Sequence, residues 1–431
     1  MSDNESGGER AVHRRFLGVT ATVVALGMTV GLAGCGSSDG GDVTLKLVAA
    51  DYDPEGGDST KQYWDGVVTA FEAKNKGIKV DVSVYDWKDV DRKVAEMVEA
   101  GDAPDIAQIG AYADYAAEDK LYPVDELLSI PVQANLLAPL AEAGEVSRVS
   151  YGIPFVASTR LLFYNQTLFD QAGVEPPKTW DEIESAAKAL KQRGVKYPFA
   201  LPLGNEEAQA ETMMWMLSNG GGYTDSVGSY TIDSVQNIEA FSWLKDTLVG
   251  EELTGPVAPG KLDRKPAFAA FANGEVGMLN GHPSLLQQAA KNGVKVGMVP
   301  LPGPNGKARS SMGVADWMMG FKQHGHGRQI GEFLDFAYSD ENVLEFADEY
   351  DLLPVTVSAS ETMGADPAHK ELWPFLEALP GSTLYPVGKT SWAKVSENIK
   401  KQIGSVVGPN GDPTGTLGAI GREAAAQENA E

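Results

Sequence analysis

Val43-Thr44-Leu45-Lys46-Leu47-Val48-Ala49 and Ile78-Lys79-Val80-Asp81-Val82-Ser83-Val84-Tyr85 each place apolar residues at alternate positions. Successive side chains of a strand point to opposite faces, so each stretch reads as a strand. Between them, Trp64, Val67, Val68 and Phe71 recur at helical spacing from about Ser59, and Gly77 is placed to stop that helix. Strand, helix and strand in this order form one βαβ unit, whose right-handed crossover makes the two strands parallel.

The pattern repeats outward. A helix is expected near Asp89 to Ala100, with Val90, Val94 and Met97 on one face and Gly101 beyond it, then a short strand from Asp105 to Ile109. Thr159 to Tyr164 reads as a strand. Thr179-Trp180-Asp181-Glu182 is a capping box that opens a helix to Leu190. Pro266 opens another helix, closed by Asn273-Gly274 before a strand from Glu275 to Leu279. Such alternation over the whole body predicts an α/β fold with mainly parallel sheets flanked by helices. In such sheets ligands sit outside the carboxyl ends of the strands, so the residues just after each strand are the ones to weigh.

The N-terminus has a different character. Arg10, Arg14 and Arg15 precede an uncharged stretch from Phe16 to Gly34 that ends in Leu32-Ala33-Gly34-Cys35. A positive region, an apolar region and small residues before a cysteine read as an export signal over residues 1–34. The tetrapeptide resembles a bacterial lipobox, which implies lipidation of Cys35 and a chain anchored to the outer face of the cell membrane. Arg14-Arg15-Phe16-Leu17 leaves twin-arginine and general export both open. Residues 35–42, small and polar, read as a flexible tether.

Cys35 is the only cysteine, so neither an intramolecular disulfide nor a cysteine metal site can form. The formal net charge of -25 repels nucleic-acid phosphates and anionic lipid, and no nucleic acid is expected as a partner. No Gly-x-Ser-x-Gly, His-Glu-x-x-His or phosphate loop occurs, so nucleophilic, zinc and nucleotide chemistry lack their usual signals. No metal or other cofactor is expected. His324-Gly325-His326 lacks a third ligand nearby and reads as a surface loop. An exported glycosidase would need two carboxylates at a set separation, and among sixty acidic residues the existence of pairs carries no weight.

Gly101-Asp102-Ala103-Pro104-Asp105-Ile106, Tyr151-Gly152-Ile153-Pro154-Phe155 and Leu161-Leu162-Phe163-Tyr164-Asn165 resemble the sugar-binding proteins of bacterial ABC importers, of the maltodextrin-binding type. The likeness continues through Pro177 to Ile183, Phe271 to Met278, Val299 to Gly303 and Leu352 to Val355. It implies two α/β lobes joined by a hinge that the chain crosses near Pro154 to Thr159, near Pro300 to Met312, and again after about Asp335. Lobe 1 is then expected from 43–156 with 312–335, and lobe 2 from 157–311 with 336–431. A small-molecule sugar would lie between the lobes of a monomer that docks on membrane permease subunits, without catalysis. A sensor or adhesin on the same fold is the alternative.

A sugar presents hydroxyls and an apolar C–H face, so its site needs carboxylates or amides beside aromatic rings. After the strands stand Asp51 and Tyr52, Trp87, and Gln108 with Tyr112. By position within the family's motifs, Ser158 and Arg160 lie at the first hinge, and Asn280 and His282 follow the strand ending at Leu279. Asp316 and Trp317 follow the second crossing. Trp392, in Thr390-Ser391-Trp392, resembles the family's C-terminal aromatic contact. These twelve are the candidate ligand-binding residues. Trp64, Trp180 and Trp243 lie on ordinary amphipathic helices and are excluded. His282-Pro283 stands where relatives commonly carry an aromatic after the Asn-Gly pair, a departure that bears against a long stacked oligosaccharide.

Overall fold

The computed structural model describes residues 42–53, 57–307 and 310–428. Cys35, the export signal and all of the tether but Asp42 lie outside the described residues.

The βαβ unit forms as its sequence dictates. Strands β1 (Val43–Ala50) and β2 (Ile78–Tyr85) flank the helix Ser59–Lys74 and pair in parallel, Val43 opposite Ile78 and Ala50 opposite Tyr85. Gly77 takes a φ of 92°, a left-handed turn that glycine adopts at no steric cost, and its carbonyl accepts from the Val43 N–H. β2 is an edge strand and keeps strict alternation, with Ile78, Val80 and Val82 buried and Lys79, Asp81 and Ser83 exposed. β1 is an inner strand covered on both faces, which is why Leu47, Val48, Ala49 and Ala50 are buried in succession.

The remaining strands are β3 (Ile106–Gln108), the short hairpin β4 (Glu145–Val146) and β5 (Val149–Ser150), β6 (Ile153–Thr159), β7 (Leu161–Asn165), β8 (Tyr197–Phe199), β9 (Val276–Gly281), β10 (Val296–Val299) and β11 (Gly313–Gly320). They make a five-stranded sheet in the order β2-β1-β3-β11-β6 and a four-stranded sheet in the order β10-β7-β9-β8. Each sheet is the centre of one lobe of a two-lobed α/β fold. The parallel pairing expected to dominate is confined to β1 with β2 and β3, and to β8 with β9. β11 runs antiparallel to both β3 and β6, and β7 runs antiparallel to both β9 and β10. The sheets are therefore mixed, because strands that leave one lobe and return from the other enter the sheet in the reverse sense. The single strand expected over Thr159 to Tyr164 is two, β6 and β7, which belong to different sheets and are separated by Arg160.

Arg160 marks the first crossing. Its N–H donates to the Met312 carbonyl at 3.3 Å, and the Thr159 hydroxyl donates to the same carbonyl at 2.8 Å. The return crossing enters β11 at Gly313. A third segment lies alongside: the Gly313 N–H donates to Thr383 O at 2.9 Å and the Thr383 N–H to Ser311 O at 2.8 Å. Thr383 is thereby tied to the segment that leads into β11. The helix Asp340–Glu349 packs on the first sheet, with the Phe346 ring 4.7 Å from Phe155 and 4.9 Å from Tyr52, and Leu353 bridges Ala157 of β6. Helix periodicity shows that a face is buried, not against which sheet, so this packing is not legible in the sequence. Helices Trp392–Val406 and Pro413–Glu428 do join the second lobe, contributing Val395, Ile399, Ile403 and Leu417 to its core.

Trp64 stacks on Phe155 at 5.3 Å in the first core, and in the second Trp215 packs against both Trp180 and Trp243, at 5.9 and 5.6 Å, which themselves touch at 4.8 Å. All four tryptophans serve packing. Among the described residues no helix is long and apolar enough to cross a membrane.

Candidate functional site

A cleft of about 340 Å³ opens where β11 and the helix Trp87–Glu99 face the helix Trp392–Val406. From the side of the first sheet come Trp87, Asp91, Asp114, Asp316 and Trp317. From the other side come Gln209, Tyr385, Lys389, Trp392, Glu397 and Lys400.

The β11–β6 register shifts between Asp316 and Trp317, and the consecutive residues Ala315, Asp316 and Trp317 all line the cavity there. The Asp316 carboxylate is oriented from behind. Ala50 N–H donates to Gln108 Oε1 at 3.1 Å, Gln108 Nε2 donates to the Tyr52 hydroxyl at 2.5 Å, and that hydroxyl donates to Asp316 Oδ2 at 2.7 Å. The amide fixes the direction of the whole relay. Burial pushes the Asp316 carboxyl up to about 6, and the Tyr52 hydrogen bond partly offsets this.

The aromatic walls differ in exposure. Trp87 is 37% exposed and opens its helix beside the cleft, edge-on to Tyr52 at 5.4 Å. Trp317 is only 3% exposed and leans on Tyr112 at 6.0 Å, while Trp392 is 8% exposed and stacks on Tyr385 at 5.2 Å. Each buried indole therefore presents one margin to the cavity and packs with the rest.

Four of the twelve sequence candidates line the cleft: Trp87, Asp316, Trp317 and Trp392. Tyr52 and Gln108 stand behind Asp316, and Tyr112 stands buried behind Trp317. Asp51 does not reach the cleft: its carboxylate accepts from Thr60 Oγ1 at 2.9 Å and Asp53 N–H at 3.0 Å, closing the turn after β1. Ser158 does not line it either, being held within β6 opposite Val314.

Arg160, Asn280 and His282 belong to a charge network inside the second lobe. Arg160 lies 2.6 Å from Glu207, which also holds Arg264 at 2.6 Å, and Arg264 reaches Glu206 at 2.9 Å. Burial pushes the Glu207 carboxyl up, but the two guanidiniums outweigh it and hold it below its ordinary value. His282 lies 3.3 Å from Arg264, and burial together with the two arginines lowers it to about 3, so it is neutral. Asn280 donates to Glu211 Oε1 at 2.8 Å, as does the Trp215 indole. Burial pushes Glu211 up to about 7, against those two hydrogen bonds.

Sequence reasoning missed Tyr385, Gln209, Asp91, Asp114, Lys389, Glu397 and Lys400. Asp91, Glu397 and Lys400 sit on helices whose polar faces look like ordinary solvated faces, and Tyr385 lies in an irregular segment with no period to flag it. His324 and His326 are engaged by Ala103 O and Asp105 Oδ1, both at 2.9 Å. Among the described residues no group of three or more His, Cys, Asp or Glu could hold a metal ion.

The family model for bacterial extracellular solute-binding proteins matches residues 57–344, more than half of the chain. A candidate binding protein of Brucella abortus (strain 2308), BAB2_0491, is 27% identical over 406 residues, covering 93% of this chain and 95% of that one. The sn-glycerol-3-phosphate-binding periplasmic protein UgpB of Pectobacterium atrosepticum is 26% identical over 285 residues, covering 61% and 63%. Among solved structures, the cyclic alpha-maltosyl-1,6-maltose binding protein of Arthrobacter globiformis superposes with a TM-score of 0.76 at 17% identity, covering 91% of this chain and 100% of that one. A solute-binding protein of Thermotoga lettingae bound to alpha-D-tagatose gives 0.73 at 19%, covering 89% and 99%. Two lobes with a cleft between them, and a family match across both, lead to one conclusion: the chain belongs to the bacterial extracellular solute-binding protein family.

Proposed function

We propose that this chain is the extracytoplasmic receptor of an ABC importer, a lipoprotein anchored through Cys35 that captures a mono- or short oligosaccharide and delivers it to membrane permease subunits. The observation that carries this reading is the composition of the cleft, whose two walls each bring an indole margin beside a carboxylate: Trp317 with Asp316, and Trp392 with Glu397. Indole margins suit the C–H face of a sugar ring, and carboxylates and the Gln209 amide suit its hydroxyls. Two structural neighbours are named for carbohydrate ligands, which supports the same class.

The mechanism follows from where the walls come from. A ligand touching both lobes makes its full set of contacts only when they approach, so it shifts an open–closed equilibrium toward the closed form. The three hydrogen-bonded segments near Arg160, Met312 and Thr383 are where such a motion would turn. Closure then tells the permease that the receptor is loaded, and the lipid keeps the monomer beside it. The chain itself performs no chemistry.

Titration calorimetry of the full chain in detergent against mono- and disaccharides tests the reading. Binding of at least one sugar without turnover is expected. Hydrolysis of a glycoside would sink the binding-only role, and binding of another solute with no response to any sugar would sink the carbohydrate assignment. Mass spectrometry should find the N-terminal Cys35 diacylated, and Cys35→Ser should release the protein from membranes.

A further inference from the structure

The charges around the cleft do not balance. Asp91, Asp114, Asp316 and Glu397 line it against Lys389 and Lys400. Lys389 is already paired with Glu428 and lies over the Tyr230 ring at 5.2 Å. Behind the wall, Arg160 and Arg264 are held by Glu206 and Glu207, and neutral His282 adds no charge. Lys400 is left as the lining cation with no carboxylate partner among the described residues.

Backbone donors tell the same story. Gly110 and Ala111 line the cleft with consecutive N–H groups, the kind of pair that cradles phosphate oxygens. Both already donate to Asp91 Oδ1, at 3.0 and 3.1 Å. A phosphate dianion entering here meets an occupied nest and a negative wall. A donor group meets the opposite situation. Asp316 Oδ2 accepts from Tyr52, its other oxygen accepts from no donor among the described residues, and Asp114 is exposed at the rim.

We infer that the cleft sorts carbohydrates by charge: it takes sugars that bear no phosphate or carboxylate, and an amino group in place of a hydroxyl, set against Asp114 and Asp316, strengthens binding. This rests on the carbohydrate reading above, and it separates this chain from its relatives named for sn-glycerol 3-phosphate. Discrimination arises because a buried or rim carboxylate attracts an ammonium in a site of reduced dielectric and repels an anion by as much.

The test is calorimetry of the full chain at neutral pH with matched series: glucose, glucosamine and glucose 6-phosphate; galactose, galactosamine and galactose 6-phosphate; tagatose and tagatose 6-phosphate; maltose; and sn-glycerol 3-phosphate. In any series that binds, the amino sugar should bind tightest and the phosphate ester at least about tenfold more weakly than the parent, a difference of about 1.4 kcal/mol. The amino preference should shrink as salt is raised. Asp114→Lys, a change at an exposed position, should abolish the amino preference and narrow the gap to the phosphate ester. A phosphate ester binding as tightly as its parent, or an amino sugar binding more weakly than its parent, overturns this inference while leaving the carbohydrate reading intact. A panel in which no member binds overturns the carbohydrate reading, and this inference with it.

Discussion

Tyr52 and Asp316, 264 positions apart in the chain, are joined by a hydrogen bond of 2.7 Å in which the phenol donates to the carboxylate. The phenol cannot turn away, because Gln108 donates to it at 2.5 Å and Gln108 is itself held by the Ala50 N–H. Asp316 therefore faces the cleft as an acceptor in its ionised form, at the end of a chain of bonds that begins in the backbone of β1.

Removing the phenol oxygen should be felt as a pH effect. Burial holds Asp316 up near 6 and Tyr52 holds it down, so Tyr52→Phe moves it higher still. Ligand affinity that depends on ionised Asp316 should fall in acid with a midpoint near pH 6 in the unaltered chain, and at a distinctly higher pH in Tyr52→Phe. Affinity measured across pH checks this, and superimposable profiles would remove Tyr52 from the relay. The variant leaves Gln108 Nε2 without its acceptor in a buried place, at a cost of about 1–3 kcal/mol in unfolding free energy.

The tryptophans divide by burial. Trp87, 37% exposed, can lose its indole with little core damage, so Trp87→Ala should weaken ligand binding with a stability change under about 1 kcal/mol. Trp317→Ala removes a side chain 3% exposed that packs on Tyr112, and should cost about 3–5 kcal/mol of stability along with any loss of affinity. Denaturant titration beside calorimetry separates the two effects. Equal destabilisation by both changes would mean that Trp87 is a packing residue.

Why was the fold so much easier to read than the site? β1 and β2 were legible because alternation is local, and Gly77 and Gly101, which stop the two flanking helices, are legible for the same reason: each takes a φ only glycine adopts freely. Trp87, Asp316, Trp317 and Trp392 were found because position after a strand, or within a motif, correlates with facing the cleft. Asp51 satisfies the same rule yet caps its own turn, and Arg160 satisfies it yet is neutralised by Glu207, 47 positions away. Partners at that range are set by packing, which the local pattern does not contain. The antiparallel placing of β11 and the docking of residues 340–353 on the first sheet escaped for the same reason.

The Arg160–Glu207 pair makes its own prediction. Arg160 is buried and Glu207 is half-buried, so removing the guanidinium leaves a largely desolvated carboxylate short of one partner. Arg160→Met should destabilise by about 3 kcal/mol, the low end of the usual range, because Arg264 still lies 2.6 Å from Glu207. Arg160→Met with Glu207→Gln should recover much of the loss. Urea unfolding of both variants decides the matter, and a double variant no more stable than the single one would show that Arg160 acts through packing.

Glu211 gives the folded state a pH dependence of its own. Its carboxyl is 2% exposed, and burial raises it to about 7, whereas the unfolded chain titrates it near its ordinary 4.5. Below the lower value both states hold the proton and Glu211 costs nothing. Between the two values the folded state keeps a proton that the unfolded state has lost, so stability falls as pH rises. Above the upper value the loss is complete, on the order of 3 kcal/mol. Asp316 adds a slope of the same sign centred near pH 6, and His282, lowered to about 3 from its ordinary 6.5, adds one of opposite sign, so Glu211 is isolated by comparing Glu211→Gln with the unaltered chain at each pH. Glu211→Gln keeps an oxygen to accept from Trp215 and Asn280 and removes the proton. It should be more stable than the unaltered chain at pH 8, equal to it within about 1 kcal/mol at pH 4, and flatter between. Chemical denaturation across that range measures the difference, and two parallel curves would mean that Glu211 stays ionised in the folded protein, held by groups other than the two that donate to it.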